Sequence, residues 1–396
     1  MKSRGICSNV VIGFSILPFV AFSGCYVQLG GCNQAKYERT ISRQLAAVAG
    51  NTLDVATSSG SIKITGADGN DCSITALVVA HAPTEQEAQE LAEQVDIRSD
   101  SDGDTLKIRA DQPDLTNNRS ISVNYTIAVP RRMSVLAISE YGSIDVVGMQ
   151  GTVKGKTSSG SMHAEGIQGP LDLATSYGSI TCKGIAGPTT LLQSSSGSIT
   201  VAGLKGEAKA RTSYGSITCR ESSGGQLDLK SDSGSITLLN VSFENCLAVT
   251  DYGSVACEGF KGKAIKQRSS SGAVDLTDAQ ADAVDLHTSY GRVAARQITT
   301  GDLLANAGSG GIDVICSESC PANLKANAKT TYGSITFKAP PQFSGEVRLA
   351  TDYGSVHTAL PITMTGGIDK KNVAGKVGEG TGTIHLETAS GSIELK

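Results

Sequence analysis

The sequence predicts an all-β chain: a right-handed parallel β-helix, or β-solenoid, of ~19-residue coils, with a small α+β cap insertion near its N-terminus. Three observations predict it. The octapeptide TSYGSITC stands at residues 175–182 and returns at 212–219. Glycine corners recur every 18 or 19 residues between Gly142 and Gly310. Apolar and polar residues alternate on both sides of each corner, the period-2 signature of a half-buried strand. Composition agrees: among 396 residues there are 46 glycines, no Trp and 4% aromatics, so many tight turns and a core of Val, Ile, Leu, Ala and Thr are expected. The formal net charge of -4 offers no basic footprint for nucleic acid.

Residues 1–25 read as a signal peptide with a lipobox. Lys2 and Arg4 precede an apolar run at 10–22 that is too short to span a bilayer. The run ends in Phe22, Ser23, Gly24 and Cys25, which resembles the bacterial lipobox, with Phe22 in place of the usual Leu, and marks Cys25 for lipidation. An ordinary signal peptide cut elsewhere is the other reading. Residues 26–44 then form a tether, 45–66 a first coil around Gly60, and 67–133 the cap insertion with one helix. Within the cap, a strand is expected at 74–79 and further strands near 105–110 and 120–129. Thr84 and Glu87 make a capping box for a helix running to about Val95. A stack of parallel coils exposes unpaired backbone at its end, and covering it prevents end-to-end association.

Residues 134–360 are the regular solenoid, and 361–396 a Gly- and Lys-rich loop followed by a final coil around Gly391. Fourteen corners at ~4.8 Å per coil make a rod on the order of 65 Å long. Around Gly178, the residues Leu171, Leu173, Thr175, Ile180 and Cys182 share one parity and form the inward face. One such unit cannot bury that face alone, so neighbours must stack in parallel, and the general handedness of parallel connections makes the coil right-handed. The glycine is expected to supply a positive φ, and the Ser or Thr three residues before it to bond backbone nearby or its equivalent one coil away. Six residues before the glycine, the outward face is ordered in threes: Lys154, Asp172, Leu191, then Lys209, Asp228, Leu247, then Lys266, Asp285, Leu304. Lys and Asp on adjacent coils would pair, each pair worth roughly 0.2–1 kcal/mol.

The residue before the glycine alternates between Ser and Tyr from Ser159 to Ser309. Tyr141, Tyr177, Tyr214, Tyr252, Tyr290, Tyr332 and Tyr353 therefore form a row with a usual spacing of ~10 Å. In one reading the rings stack on sugar units or anchor an interface. In the other, each Tyr packs over the smaller Ser of the coils above and below.

Of the ten cysteines, Cys182, Cys219 and Cys257 take one inward slot on every second coil. They stand beyond the ~7 Å reach of a disulfide and cannot share one zinc, so they read as core fillers. Cys316 and Cys320, in CSESC, are close enough for a local bridge in an oxidising compartment. No catalytic or metal-ligating set emerges, and no cofactor is implied. Asp275 and Asp313 share a column two coils apart. His81, His163, His287, His357 and His385 are scattered, and no Ser/His/Asp group converges.

The strand at 124–130 (NYTIAVP), leading into 134–146 (SVLAISEYGSIDV), the SGSI and YGSI repeats, and the close at 383–395 (TIHLETASGSIEL) resemble the bacterial family of β-strand-repeat, adhesin-like domains of unknown function. The resemblance covers roughly residues 48–396. It implies a single-stranded right-handed β-helix in the cell envelope, and brings no catalytic residues with it. The expected protein is an exported envelope lipoprotein of the outer membrane, periplasm or cell surface, acting without enzymatic activity as an adhesin-like or structural binding rod. Its partners would be the membrane, through a lipid anchor, and cell-wall or surface glycans or other envelope proteins, not nucleic acid. Two alternatives stand beside it. One is a polysaccharide-active lyase or hydrolase, marked by a groove where charged residues of adjacent coils meet. The other is an accessory protein in envelope-stress signalling.

Overall fold

A computed structural model describes residues 34–47, 51–115, 118–364 and 370–396. The expected signal peptide and Cys25 lie outside the described residues.

The alternation sets each coil. In Leu171–Thr175 the side chains of Leu171, Leu173 and Thr175 are buried and Asp172 faces solvent; past the corner, Ile180 and Cys182 are buried in Ile180–Lys183. Leu171–Thr175 pairs in parallel with Val153–Thr157 on one side and Thr189–Ser194 on the other. Ile180–Lys183 lies likewise between Met162–Glu165 and Ile199–Ala202. Repetition of this unit gives a parallel solenoid of ~19-residue coils around one continuous apolar core. Gln267 is discordant in that core: it is fully buried with neither amide atom bonded, a cost of roughly 1–3 kcal/mol.

Two corners of the coil use glycine for different reasons, and the expected positive φ belongs to the second. Among the described motif glycines only Gly60 has one. The others are required by space: a Cβ on Gly178 would stand 1.8 Å from the carbonyl oxygen of Gly160, and one on Gly215 2.1 Å from that of Gly197. Six residues further on, Gly148, Gly166, Gly184, Gly203 and Gly259 have φ between 61° and 74°. Glu221, Asn240, Asp278 and Gln297 hold the same left-handed corner at φ 49° to 54°, at roughly 1 kcal/mol each.

The hydroxyl three residues before each motif glycine ties one rung to the next. Thr175 Oγ1 donates to Gly160 O at 3.0 Å and accepts from Gly178 N at 3.1 Å. Ser194, Thr212 and Ser231 repeat this two-sided bridge. The ladder has a gap at Ala307, which stands in register between Thr288 and Thr330.

At both ends chain order and rung order part company. Residues 35–44, expected as tether, belong to the strand Ala35–Ala46, antiparallel to Asp71–Ala82, which in turn is antiparallel to Ser120–Pro130. Tyr37, Ile41 and Leu45 alternate and pack on the core, which a solvated tether would not do. The helix Glu85–Glu93 is capped as expected, Thr84 Oγ1 accepting from Glu87 N at 3.3 Å, and buries Ala88, Leu91 and Ala92. The insertion also contributes a rung: Thr105–Asp111 and Ser120–Pro130 pair in parallel with Thr52–Ser59 and Ile62–Ala67. The rung at 105–130 thus lies outside the one at 52–67, which continues to Ser134–Tyr141 and Ile144–Val147.

The C-terminal end mirrors this. Gly382–Thr388 and Ile393–Leu395 lie between the rung at 325–338 and the rung at 345–358. The coil that comes last in the chain is therefore the penultimate rung. In the expected loop, Asn372–Val377 runs antiparallel on Gly345–Thr351 and carries Thr363–Met364 beside it, covering that edge.

Candidate functional site: the tyrosine corner

The rung order at the ends decides the geometry of the tyrosine row. In chain order Tyr332 is followed by Tyr353, breaking the alternation with Ser. In rung order Ser390 stands between them: Ser390 N donates to Thr331 O and Tyr353 N to Ala389 O, each at 2.9 Å. At the other end Ser59 is in register beside Tyr141. From Ser59 to Tyr353, Ser and Tyr therefore alternate on every rung. With rungs ~4.8 Å apart, the rings recur every ~9.6 Å.

The seven rings are 65–80% exposed. Exposure of this extent leaves most of each ring open to solvent, with little of it covered by the serines of adjacent rungs. The glycine ladder beside them fixes the rung spacing, because each glycine sits against the carbonyl of the one before. Serines border the row on both flanks around Tyr177 and Tyr214. Ser176, Ser195 and Ser213 precede it, and Ser179, Ser198 and Ser216 follow, with Ser216 N bonded to Ser198 Oγ at 3.2 Å. At the last ring, Lys371 Nζ lies 5.9 Å from the centroid of Tyr353.

The triplet on the outward face also extends once rungs are ordered in space: Lys107, Asp54 and Leu136 precede Lys154, Asp172 and Leu191. Lys209 and Asp228 pair as expected at 3.9 Å, but Asp285 is held by Arg268 at 3.0 Å and Asp54 by Arg109 at 2.8 Å, partners from the adjacent column. Such exposed pairs are worth about 0–1 kcal/mol.

Asp275 and Asp313 flank Ala294 in one column, each tied to an arginine, Arg292 at 2.9 Å and Arg296 at 2.6 Å. Elsewhere on the rod, an open groove of about 570 Å³ brings Lys266, Asp285, Asp302, Lys325 and His385 together from neighbouring rungs. Sequence reasoning missed this groove, because Lys325 and His385 become neighbours only through the inserted rung. Among the described residues no group of three or more His, Cys, Asp or Glu is placed to hold a metal ion.

Cys182, Cys219 and Cys257 are buried, alternating in register with Val201 and Leu238. Burial pushes their thiols up to about 12, about 11 and about 12. Cys316 and Cys320 are buried free thiols, and Cys320 Sγ donates to Thr300 O at 3.2 Å. The proximity of the two thiols, together with burial, pushes that of Cys316 up.

The register and the corner define a parallel β-solenoid bearing an exposed aromatic row. Residues 222–396 match the family model Toastrack DUF4097, a domain of unknown function. The match begins in mid-stack; the same coil geometry continues N-terminally to the 105–130 rung. No curated protein matches the chain. Similar solved structures include a candidate cell adhesion protein from Clostridium sporogenes, with 8% identity, covering 91% of this chain and 99% of the other at a TM-score of 0.21. A candidate adhesin from Parabacteroides distasonis has 12% identity, coverage of 90% and 97%, and a TM-score of 0.30. A candidate lipid-binding protein from the same organism has 12% identity, coverage of 90% and 96%, and a TM-score of 0.24. Superpositions this loose carry no argument; the fold stands on the strand register.

Proposed function

We propose that the chain is a non-enzymatic, adhesin-like binding rod of the cell envelope, held to a membrane through a lipid on Cys25 and engaging surface or cell-wall glycans through its tyrosine corner. The observation that carries this reading is the row of rings, 65–80% exposed and in strict alternation with Ser. Exposed aromatic surface of this extent marks a binding face. A second reading is favoured by the groove at Lys266, Asp285, Asp302, Lys325 and His385, where charged residues of adjacent rungs meet as a polysaccharide-cleaving site requires. One experiment separates the two. Purified protein is incubated with isolated cell-wall and exopolysaccharide fractions, and both retention and new chain ends are scored. Retention without cleavage, lost on replacing Tyr177, Tyr214 and Tyr252 by Ser, is expected. Cleavage that disappears in Asp285→Asn or Asp302→Asn would establish the enzyme instead.

A further inference from the structure

Resting on that reading of the tyrosine corner, the geometry points to a particular class of glycan: an extended β-1,4-linked chain lying along the rod axis, with one disaccharide per tyrosine. The argument is one of period. In a β-1,4-linked chain each sugar is turned by about half a revolution relative to the last, so a given ring face returns once per disaccharide. The tyrosines return once per two rungs, ~9.6 Å, which is close to the advance of one disaccharide in an extended chain. On the intervening rungs, where the sugar would present its other face, the corner carries Ser. A ring on every rung would meet both faces; a ring on every second rung meets one.

Two further observations fit a straight, periodic ligand. The glycine ladder has no room for a Cβ from Gly142 through Gly333 to Gly391 and Gly354, which keeps the row's spacing uniform. The inserted rung at 382–395 places Ser390 between Tyr332 and Tyr353 and keeps the phase to the end of the row. At Tyr177 and Tyr214 serines on both sides of the ring offer hydroxyl groups suited to the equatorial hydroxyls at the rim of a stacked sugar. Chains that coil, such as α-1,4- or β-1,3-linked glucans, cannot follow a straight row over several rings.

The test uses the purified protein with cello- and chito-oligosaccharides of two to eight sugars, and with α-1,4- and β-1,3-linked glucans of equal length. Affinity should rise roughly 2- to 10-fold with each added disaccharide of either β-1,4 series, and stay flat for the coiled glucans. A phase variant makes the test specific. Tyr214→Ser combined with Ser233→Tyr keeps the number of rings but moves one by a single rung. It should lose as much affinity as Tyr214→Ser alone. Both positions are exposed, so the variants should melt with the parent protein. Equal binding of the coiled glucans, or an unaffected phase variant, would overturn the disaccharide match while leaving a glycan-binding rod intact. Failure of the parent protein to bind any of these glycans, or the cell-wall fractions, would remove both.

Discussion

The middle of the rod and its two ends are built from the same coil but connected differently. From Ser134 to Lys338 each rung rests on the one before it in the chain. At the N-terminal end the rung at 105–130 passes outside the one at 52–67; at the C-terminal end the rung at 382–395 slips inside the one at 345–358. The middle can grow by adding neighbours, as repeat arrays do. The ends cannot, because the 345–358 rung finds its platform only once residues 359–395 have folded back, a longer loop to close. Yet the side-chain ladders ignore the difference. The glycine, hydroxyl and Ser/Tyr columns run through the tucked C-terminal rung in phase, and the Lys/Asp/Leu column runs through the outer N-terminal rung. The ladders, not the connectivity, define the register.

The largest test of this contrast sets the same clash in both regions. Gly215→Ala drives a Cβ to 2.1 Å from Gly197 O, and Gly391→Ala to 2.2 Å from Gly333 O. The first should cost roughly 3 kcal/mol in global stability by urea unfolding. The second should instead abolish amide-exchange protection in 345–358 and 382–395 while the middle keeps its own.

Alkali should act next, and on the middle. Cys182, Cys219 and Cys257 are raised from an ordinary value of 9.0 to about 12, about 11 and about 12 by burial. Above pH 9 the unfolded chain releases protons that the folded rod retains. The stabilisation is therefore complete below pH 9 and is lost as pH rises toward the folded values, at up to about 1.4 kcal/mol per thiol per pH unit. Cys219→Val, which copies its register neighbour Val201, should flatten the fall in urea midpoint between about pH 8 and about pH 10.

The smallest effect comes from mending the hydroxyl ladder. Ala307→Thr should donate to Gly291 O as Thr288 does to Gly272 O at 2.8 Å, and raise stability by about 1 kcal/mol in the same unfolding assay. No gain would mean that the bridging hydroxyls follow the register rather than help to set it.

Much of this was legible in the residues. The coil length, its inward parity, the helix cap at Thr84 and the column shared by Asp275 and Asp313 follow from spacing alone. The rung order at the ends was not recognised, although traces of it were present: Tyr332 and Tyr353 stood adjacent with Ser390 left over, and Lys107, Asp54 and Leu136 complete a triplet only when reordered. The strand at 105–111 lacks a motif glycine after it, so its alternation did not look like a coil. The corner glycine was misread because composition does not distinguish a residue that needs a positive φ from one that needs room. Gly178 and Gly184 stand six apart and are required by different physics within one coil: on one a Cβ would collide with a carbonyl, the other has open space and φ 61°.

The tucked rung at 382–395 also bears on how the rod meets force. An outermost strand under tension can peel away one hydrogen bond after another from its single neighbour. A strand clasped on both flanks must shear two ladders at once. Because Lys396 donates to Phe337 O and accepts from Ala339 N, the chain is gripped up to that residue, and a pull there is passed into the stack rather than spent on unzipping it.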